Sequence, residues 1–389
     1  MVRSVPRVVV IGCGSTGCAT AYDLALRGLQ VIAVDRGEVA SGTTGRNHCL
    51  LHSGARYAVK DPESAAECIG ENLILRRIMP WAMELNGGMF VALNESDLAY
   101  KEQFLDACSR CGIPAQEIPV QRALQIEPNL NPKALAAVLV PDGVFEPYRL
   151  CLSFLAGAKT RGASVRLFTA VIDITQSGRS VSGVRVRSMR SGQEEVIGAD
   201  VVVNAAGPWA GKVAALAGVD VPVVPTAGVM VAVRERLNCL VINRLNEPGD
   251  GDIVVPQRRT SIVGTTSWRV EDPDLIPIPA DHVDRMLESG DKLLPGLRRM
   301  ATRGIFAVAR PLLAQRGVAS EGRELSRTFE CFDHAADGVE GLVTITGGKT
   351  TTARAMAEKA ADIVCAKLGL QEKCRTSEFV LPYYRNFYC

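Results

Sequence analysis

The stretch RVVVIGCGSTGCATAYDLALRGLQVIAVDR, residues 7–36, decides the fold. Residues 8–11 form a continuous β-branched run, suited to a strand buried on both faces. Gly12 permits a tight turn after that strand. Gly14 lets a backbone approach a pyrophosphate, and Gly17 lets the next helix pack close against the strand. Residues 15–27 carry helical spacing, with Ala19, Tyr22, Ala25 and Leu26 apolar, and Gly28 stands where the helix stops. A second strand spans 30–34 and runs into Asp35. Strand, helix and strand in this spacing make a parallel crossover unit. Ser15 and Thr16 open the helix, whose unpaired N–H groups and dipole favour an anion. Asp35, followed by Arg36, stands where a carboxylate accepts ribose hydroxyls. The expectation is an α/β chain built on a Rossmann-type dinucleotide fold.

The rest of the chain bounds the reading. Its 389 residues suffice for two domains and a large core. Lys and Arg number 44 against 42 acidic residues, a balance that offers no basic field for nucleic acid. Twelve cysteines are scattered rather than dense, which fits a reducing cytoplasm better than a disulfide framework. Cys108 and Cys111 form a CxxC without a second one, so they read as neighbours on a helix, and no metal site is expected. Arg3 and Arg7 precede an apolar run, but it ends in glycines rather than a cleavage site. No uncharged apolar run reaches the roughly 18 residues of a membrane helix.

Further along, helices are predicted over 62–83, 148–161, 281–293 and from Gly348 to about 367. Strands are predicted at 200–204 and 341–346, and a hairpin over 165–186 with a Ser-Gly break at 177–178. Nucleotide-binding pieces therefore lie at the start, middle and end. The expected division is a discontinuous cofactor domain (1–80, 145–220 and 325–370), a mostly antiparallel substrate domain (80–145 and 220–325) and a tail (371–389).

Three later stretches separate FAD from NAD. The long small-residue loop SGTTGRNHCLLHSGARY, 41–57, is of the kind that runs under an FAD pyrophosphate and ring, and it brings in Ser41, Thr43 and Thr44. NAAGPW, 204–209, supplies Ala206 and Gly207. TGGKT, 346–350, supplies Gly347, Gly348, Lys349 and Thr350 where a helix opens. With GRNHCLLHSGARYAVKDPESAAECIGEN, VPDGVFEPYRL, VVNAAGPWA and TITGGKTTTARAMAEKAAD, the chain resembles the FAD-dependent glycerol-3-phosphate dehydrogenases over about 7–382. Within them it is most similar to the catalytic A subunits of the anaerobic type. The resemblance implies the D-amino-acid oxidase type of fold, with FAD as cofactor.

The resemblance also implies roles. His52, Arg56 and Tyr57 fall on the family's substrate motif, Arg310 on its Arg-Pro pair, Arg327 on its next substrate arginine, and Lys349 on its GGK lysine. His52 would take the hydroxyl proton and Arg310 would stabilise the developing oxyanion. Arg327 and Lys349 would hold a phosphate, and Arg56 and Tyr57 would orient the substrate. The implied reaction is oxidation of sn-glycerol 3-phosphate, or a related phosphorylated polyol, to the ketone. Longer family members continue into an iron–sulfur domain, whereas this sequence stops at Cys389. An iron–sulfur or quinone-reducing partner subunit is therefore expected to receive the electrons. The tail, with Tyr383, Tyr384, Phe387 and Tyr388, admits docking on a partner, peripheral contact at the inner membrane face, or packing on its own domain. Two rivals remain at this point: a 2-hydroxy-acid or amino-acid dehydrogenase or oxidase, whose arginine clamps a carboxylate, and a non-catalytic electron-relay subunit.

Overall fold

The computed structural model describes residues 5–314 and 328–389. Its organising element is the strand Arg7–Ile11, paired in parallel with Gln30–Val34 on one side and Val201–Asn204 on the other. Val8 and Val10 point into an apolar cluster with the helices Ser15–Leu26, Pro147–Lys159 and Ala353–Lys367. Val9 points the other way, packing with Val181, Val184 and Val186 of a three-stranded antiparallel sheet. Both faces are thus dry, which is why the strand has no polar alternation. Each valine buried this way contributes about 1.5–3 kcal/mol.

The six strands of this sheet run in the order Phe329–Asp333, Leu342–Gly347, Val201–Asn204, Arg7–Ile11, Gln30–Val34 and Ser164–Arg166. Among these, Phe329–Asp333 is the antiparallel strand. From Arg7–Ile11 the chain passes to one neighbour through the first helix and reaches the other neighbour only at Val201. That reversal opens a crevice beyond the carboxyl ends of the strands, where α/β sheets place their ligands.

A nine-stranded sheet forms a second layer. Its long strand Val223–Val233 pairs with Thr302–Leu313, Thr260–Gly264 and Trp268–Arg269. The strand Gly88–Ala92 alternates as a sheet strand should. Met89 and Val91 face a cluster shared with Met286 and Leu293 of the helix Ala280–Leu293, while Phe90 and Ala92 face Phe104 of the helix Glu95–Arg110. The pairs in this sheet are antiparallel except Val241–Arg244 with Gly88–Ala92, which is parallel.

One expectation is corrected. The helix predicted over 62–83 is Pro62–Ile78, after which a short turn Pro80–Ala82 leads into the strand Met83–Glu84. Pro80 is the cause: it drives Met79 out of the helical region, to φ −147° and ψ 60°. Of the pair read as helix neighbours, Cys108 lies in the helix Glu95–Arg110 and Cys111 caps its end, both buried. Among the described residues no cluster of three His, Cys, Asp or Glu side chains is placed to hold a metal.

The tail packs on its own chain. Tyr148 and Tyr388 share a hydroxyl hydrogen bond of 2.7 Å, Lys159 Nζ donates to the Phe387 carbonyl at 2.5 Å, and the Tyr383 ring meets Trp81 edge-on at 6.0 Å. No described helix is long and apolar enough to cross a membrane.

Candidate active site

The crevice is the mouth of a cavity of about 970 Å³. That volume sits at the upper end for ligand pockets, with room for a dinucleotide and a small substrate. One end is the glycine turn. At Gly12 φ is +105°, and a Cβ there would lie 2.6 Å from the Ala205 carbonyl oxygen. At Gly17 a Cβ would lie 1.8 Å from the Gly12 carbonyl oxygen, so this glycine seats the helix on the turn and does not line the cavity. Gly14, Ser15 and Thr16 do line it. No acidic residue occupies the first helical turn, and its positive end faces the cavity.

Asp35 closes the far side of this turn. Its two carboxylate oxygens accept from the Cys13 N–H at 2.6 Å and the Gly37 N–H at 2.7 Å, and the side chain still borders the cavity. Burial pushes the Asp35 carboxyl up, while these two N–H donors pull the other way by favouring its charged form. Arg36 stacks over Trp209 at 4.4 Å and pairs with Asp274 at 2.5 Å. Asp274 also accepts from the Trp209 indole N–H at 3.0 Å, and Lys212 meets Asp272 at 2.9 Å. The 272–274 loop is therefore tied to this end of the cavity.

Between the two ends runs the 41–52 loop. Thr44 Oγ1 accepts from the Ser15 N–H at 3.0 Å, and Thr43 Oγ1 donates to the Ala309 carbonyl at 2.7 Å. Asn47 Nδ2 donates to the Thr44 carbonyl at 2.8 Å. Ser41, Thr43, Thr44, Ala206 and Gly207 all line the cavity.

The other end gathers the cations and the imidazoles. Arg310 lies on Thr302–Leu313, directly across from Thr226. Its guanidinium donates to the carbonyls of Ala227 (3.2 Å) and Thr266 (3.1 Å) and to Thr265 Oγ1 (2.8 Å). Lys349 Nζ sits 4.7 Å above the Tyr57 ring, and that ring lies 5.2 Å from His52. The glycines before it are needed: Gly347 and Gly348 have φ +87° and +63°, and a Cβ at Gly347 would lie 2.7 Å from the Thr328 carbonyl. Thr350 borders the same space. His52 is buried, its backbone N–H reaching Thr351 Oγ1 at 3.2 Å.

Arg56 reaches the cavity wall but is committed behind it. It forms an ion pair with Asp252 at 2.6 Å and donates to Asn243 Oδ1 at 3.1 Å. Burial disfavours its charge, but the Asp252 carboxylate more than offsets this and holds it above its usual range. Arg327 lies outside the described residues.

Comparison with known proteins follows this geometry. Residues 7–363 match the family model described as "FAD dependent oxidoreductase". The A subunit of the anaerobic glycerol-3-phosphate dehydrogenase of Escherichia coli is 44% identical over 378 residues, covering 96% of this chain and 70% of that protein. The A1 subunit of the Haloferax volcanii enzyme is 44% identical over 393 residues, covering 98% and 67%. The chain belongs to the glycerol-3-phosphate dehydrogenase family of FAD-dependent oxidoreductases. Its fold is that of the FAD complex of the Bacillus halodurans glycerol-3-phosphate dehydrogenase, with a TM-score of 0.75 at 22% identity, covering 98% of this chain and 68% of that one.

The family's cofactor is FAD, and the cavity fits it. The glycine turn and the open helix end would take the pyrophosphate, and Asp35 the ribose. The 41–52 loop and the Gly347–Gly348 turn would flank the ring, beside the cationic end. Sequence reading missed several residues of this family member's site: His48, Thr265 and Thr266, which line the cavity, and Asp252, which holds Arg56. His48 is visible inside a quoted motif. The others carry no local signal, because Arg310 meets Thr265 only through sheet pairing, and Arg56 meets Asp252 only when residues 196 apart in sequence are brought together.

Proposed function

We propose that this chain oxidises sn-glycerol 3-phosphate, or a closely related phosphorylated polyol, at its secondary alcohol. The observation that carries the reading is that Arg310, Lys349, Tyr57 and His52 border the same continuous cavity as the dinucleotide turn. FAD bound there supplies the hydride acceptor.

The chain's own residues do the rest. His52 accepts the hydroxyl proton as the carbon gives up hydride. Arg310, held by the carbonyls of Thr226, Ala227 and Thr266 and by Thr265 Oγ1, is already aimed before charge develops on the substrate oxygen, so it reorganises little in the transition state. Lys349, with Arg327 assigned by the family motif alone, takes the phosphate. Tyr57 holds Lys349 in place through its ring face. Arg56 and Asp252 stiffen the wall carrying Tyr57, a bracing role that accords with the closed ion pair, and Arg56 also orients the substrate. The Escherichia coli and Haloferax volcanii relatives are called subunits, and we extend that to this chain: a partner of the iron–sulfur or quinone-reducing class receives the electrons.

A carboxylate clamp needs one bidentate arginine, whereas a dianion draws on more positive charge. An electron relay needs no cationic end beside the ring. The test is turnover with an artificial electron acceptor on glycerol 3-phosphate, glycerol and lactate. Glycerol 3-phosphate is expected to be the preferred substrate, and a preference for lactate defeats the proposal.

A further inference from the structure

We propose that His48 is a second substrate-contacting imidazole, acting as a hydrogen-bond donor where His52 acts as an acceptor. The inference rests on the alcohol-oxidation reading above and deepens it by dividing the work between two histidines.

His48 lines the cavity between the His52 side and the Arg310 side. Its ring lies 6.0 Å from that of His52, edge to face. On its opposite flank it covers Gly264, where a Cβ would sit 3.5 Å from His48 Cδ2. Thr265, the next residue, accepts from Arg310 at 2.8 Å. His48 is therefore the side chain that joins the imidazole wall to the arginine wall. Among the described residues, the titratable and charged groups lining the cavity on this side include Arg46, His52, Arg56, Tyr57, Arg310 and Lys349. Among the described residues, the carboxylates behind them are Asp252, which is paired with Arg56, Asp142, which also acts on Arg56, and Glu67, which faces Lys349.

Its tautomer follows from a backbone contact. The Leu50 N–H donates to His48 Nδ1 at 3.4 Å. A nitrogen that accepts carries no proton, so the neutral ring bears its hydrogen on Nε2. In that form Nε2 can give a hydrogen bond but cannot take the substrate's proton. A base is therefore a poor assignment for His48, and a donor to a substrate oxygen is a good one. The turn holding Nδ1 is local, since the loop places Cys49 at φ +66° and ties its N–H to Asn47 Oδ1 at 2.7 Å.

The experiment compares His48→Leu, His48→Gln and His52→Gln holoenzymes with wild type across pH, reading kcat, KM and FAD content. Wild type is first tested for reduction by glycerol 3-phosphate. If it prefers another alcohol, the functional reading fails, but the variants are still compared on that alcohol and the division of labour is still judged. His48→Leu is expected to lower kcat/KM by about 10- to 100-fold, the size of a hydrogen bond to a charged group. It should leave the acidic limb of the pH profile in place, because the proposed base His52 is still present. His48→Gln, which keeps a donor, should recover part of the loss. His52→Gln should abolish the acidic limb. The proposal is overturned if His48→Leu stays within about twofold of wild type, well under one lost hydrogen bond, or if it removes the acidic limb. It is also overturned if both His48 variants lose FAD, which would assign the residue to holding the flavin.

Discussion

Replacing Gly228 with alanine tests the placing of Arg310. Gly228 lies in the strand Val223–Val233, beneath the arginine. A Cβ there would stand 2.3 Å from Thr265 Oγ1, 2.4 Å from Arg310 Nη2 and 2.7 Å from the Thr266 carbonyl oxygen. All three atoms hold or belong to the guanidinium, and the Thr266 oxygen is also backbone that cannot swing away. Restoring an ordinary contact pushes Arg310 by roughly 1 Å, a misplacement that can cost about 10²-fold in rate. That equals about 2.7 kcal/mol of transition-state stabilisation. Overpacking adds about 1–3 kcal/mol of lost stability, so the assay is run well below the melting transition. The measurement is kcat/KM for glycerol 3-phosphate with an artificial acceptor, normalised to bound FAD. Gly228→Ala is expected to retain FAD and lose most of its kcat, and combining it with Arg310→Ala should add little further loss. If Gly228→Ala turns over like wild type with FAD bound, Arg310 does not meet the reacting oxygen.

Three further outcomes are expected. Lys349→Ala should mainly raise KM for the phosphorylated substrate, by about 10- to 100-fold, while leaving kcat closer to wild type; steady-state kinetics with glycerol as the comparison substrate checks it. Asp35→Ala should weaken FAD retention, because it removes the acceptors of the Cys13 and Gly37 N–H groups as well as the ribose contact; FAD released on gel filtration reads this directly. Burial pushes the Glu67 carboxyl up from its usual 4.5 to about 7, against the pull of Lys349. A raised carboxyl keeps its proton in the folded state after the unfolded chain has released it, so stability falls as pH rises from 4.5 toward 7. Glu67→Gln should remove that decline and be the more stable protein at neutral pH, with little difference in acid, as melting curves across pH will show. The slope should be shallow because the group is half-exposed.

The parts legible in the sequence are those written in local pattern. The unbroken 8–11 run announces a strand dry on both faces, and the glycine spacing announces the turn, because each constraint acts within a few residues. The hairpin near residues 177–178 is readable for the same reason, since its turn chemistry is local. The end of the helix at Ile78 is also written there, in Pro80, but the apolar run to Met83 outweighs it on a reading of periodicity. What sequence does not show is the wall around Arg310 and the brace behind Arg56. Thr265 and Asp252 look like ordinary loop residues until the tertiary fold brings them to their arginines. Cationic character at positions 56, 310 and 349 is visible, but not that one of the three is already neutralised by a buried carboxylate.

The most direct test is an anaerobic titration of the purified holoprotein, following the oxidised-flavin absorbance without any added acceptor. Glycerol 3-phosphate is predicted to bleach the flavin to completion and to yield the ketone in amounts equal to the flavin reduced, with glycerol and lactate leaving it unchanged. Bleaching by lactate or an amino acid, with glycerol 3-phosphate inert, would contradict the account.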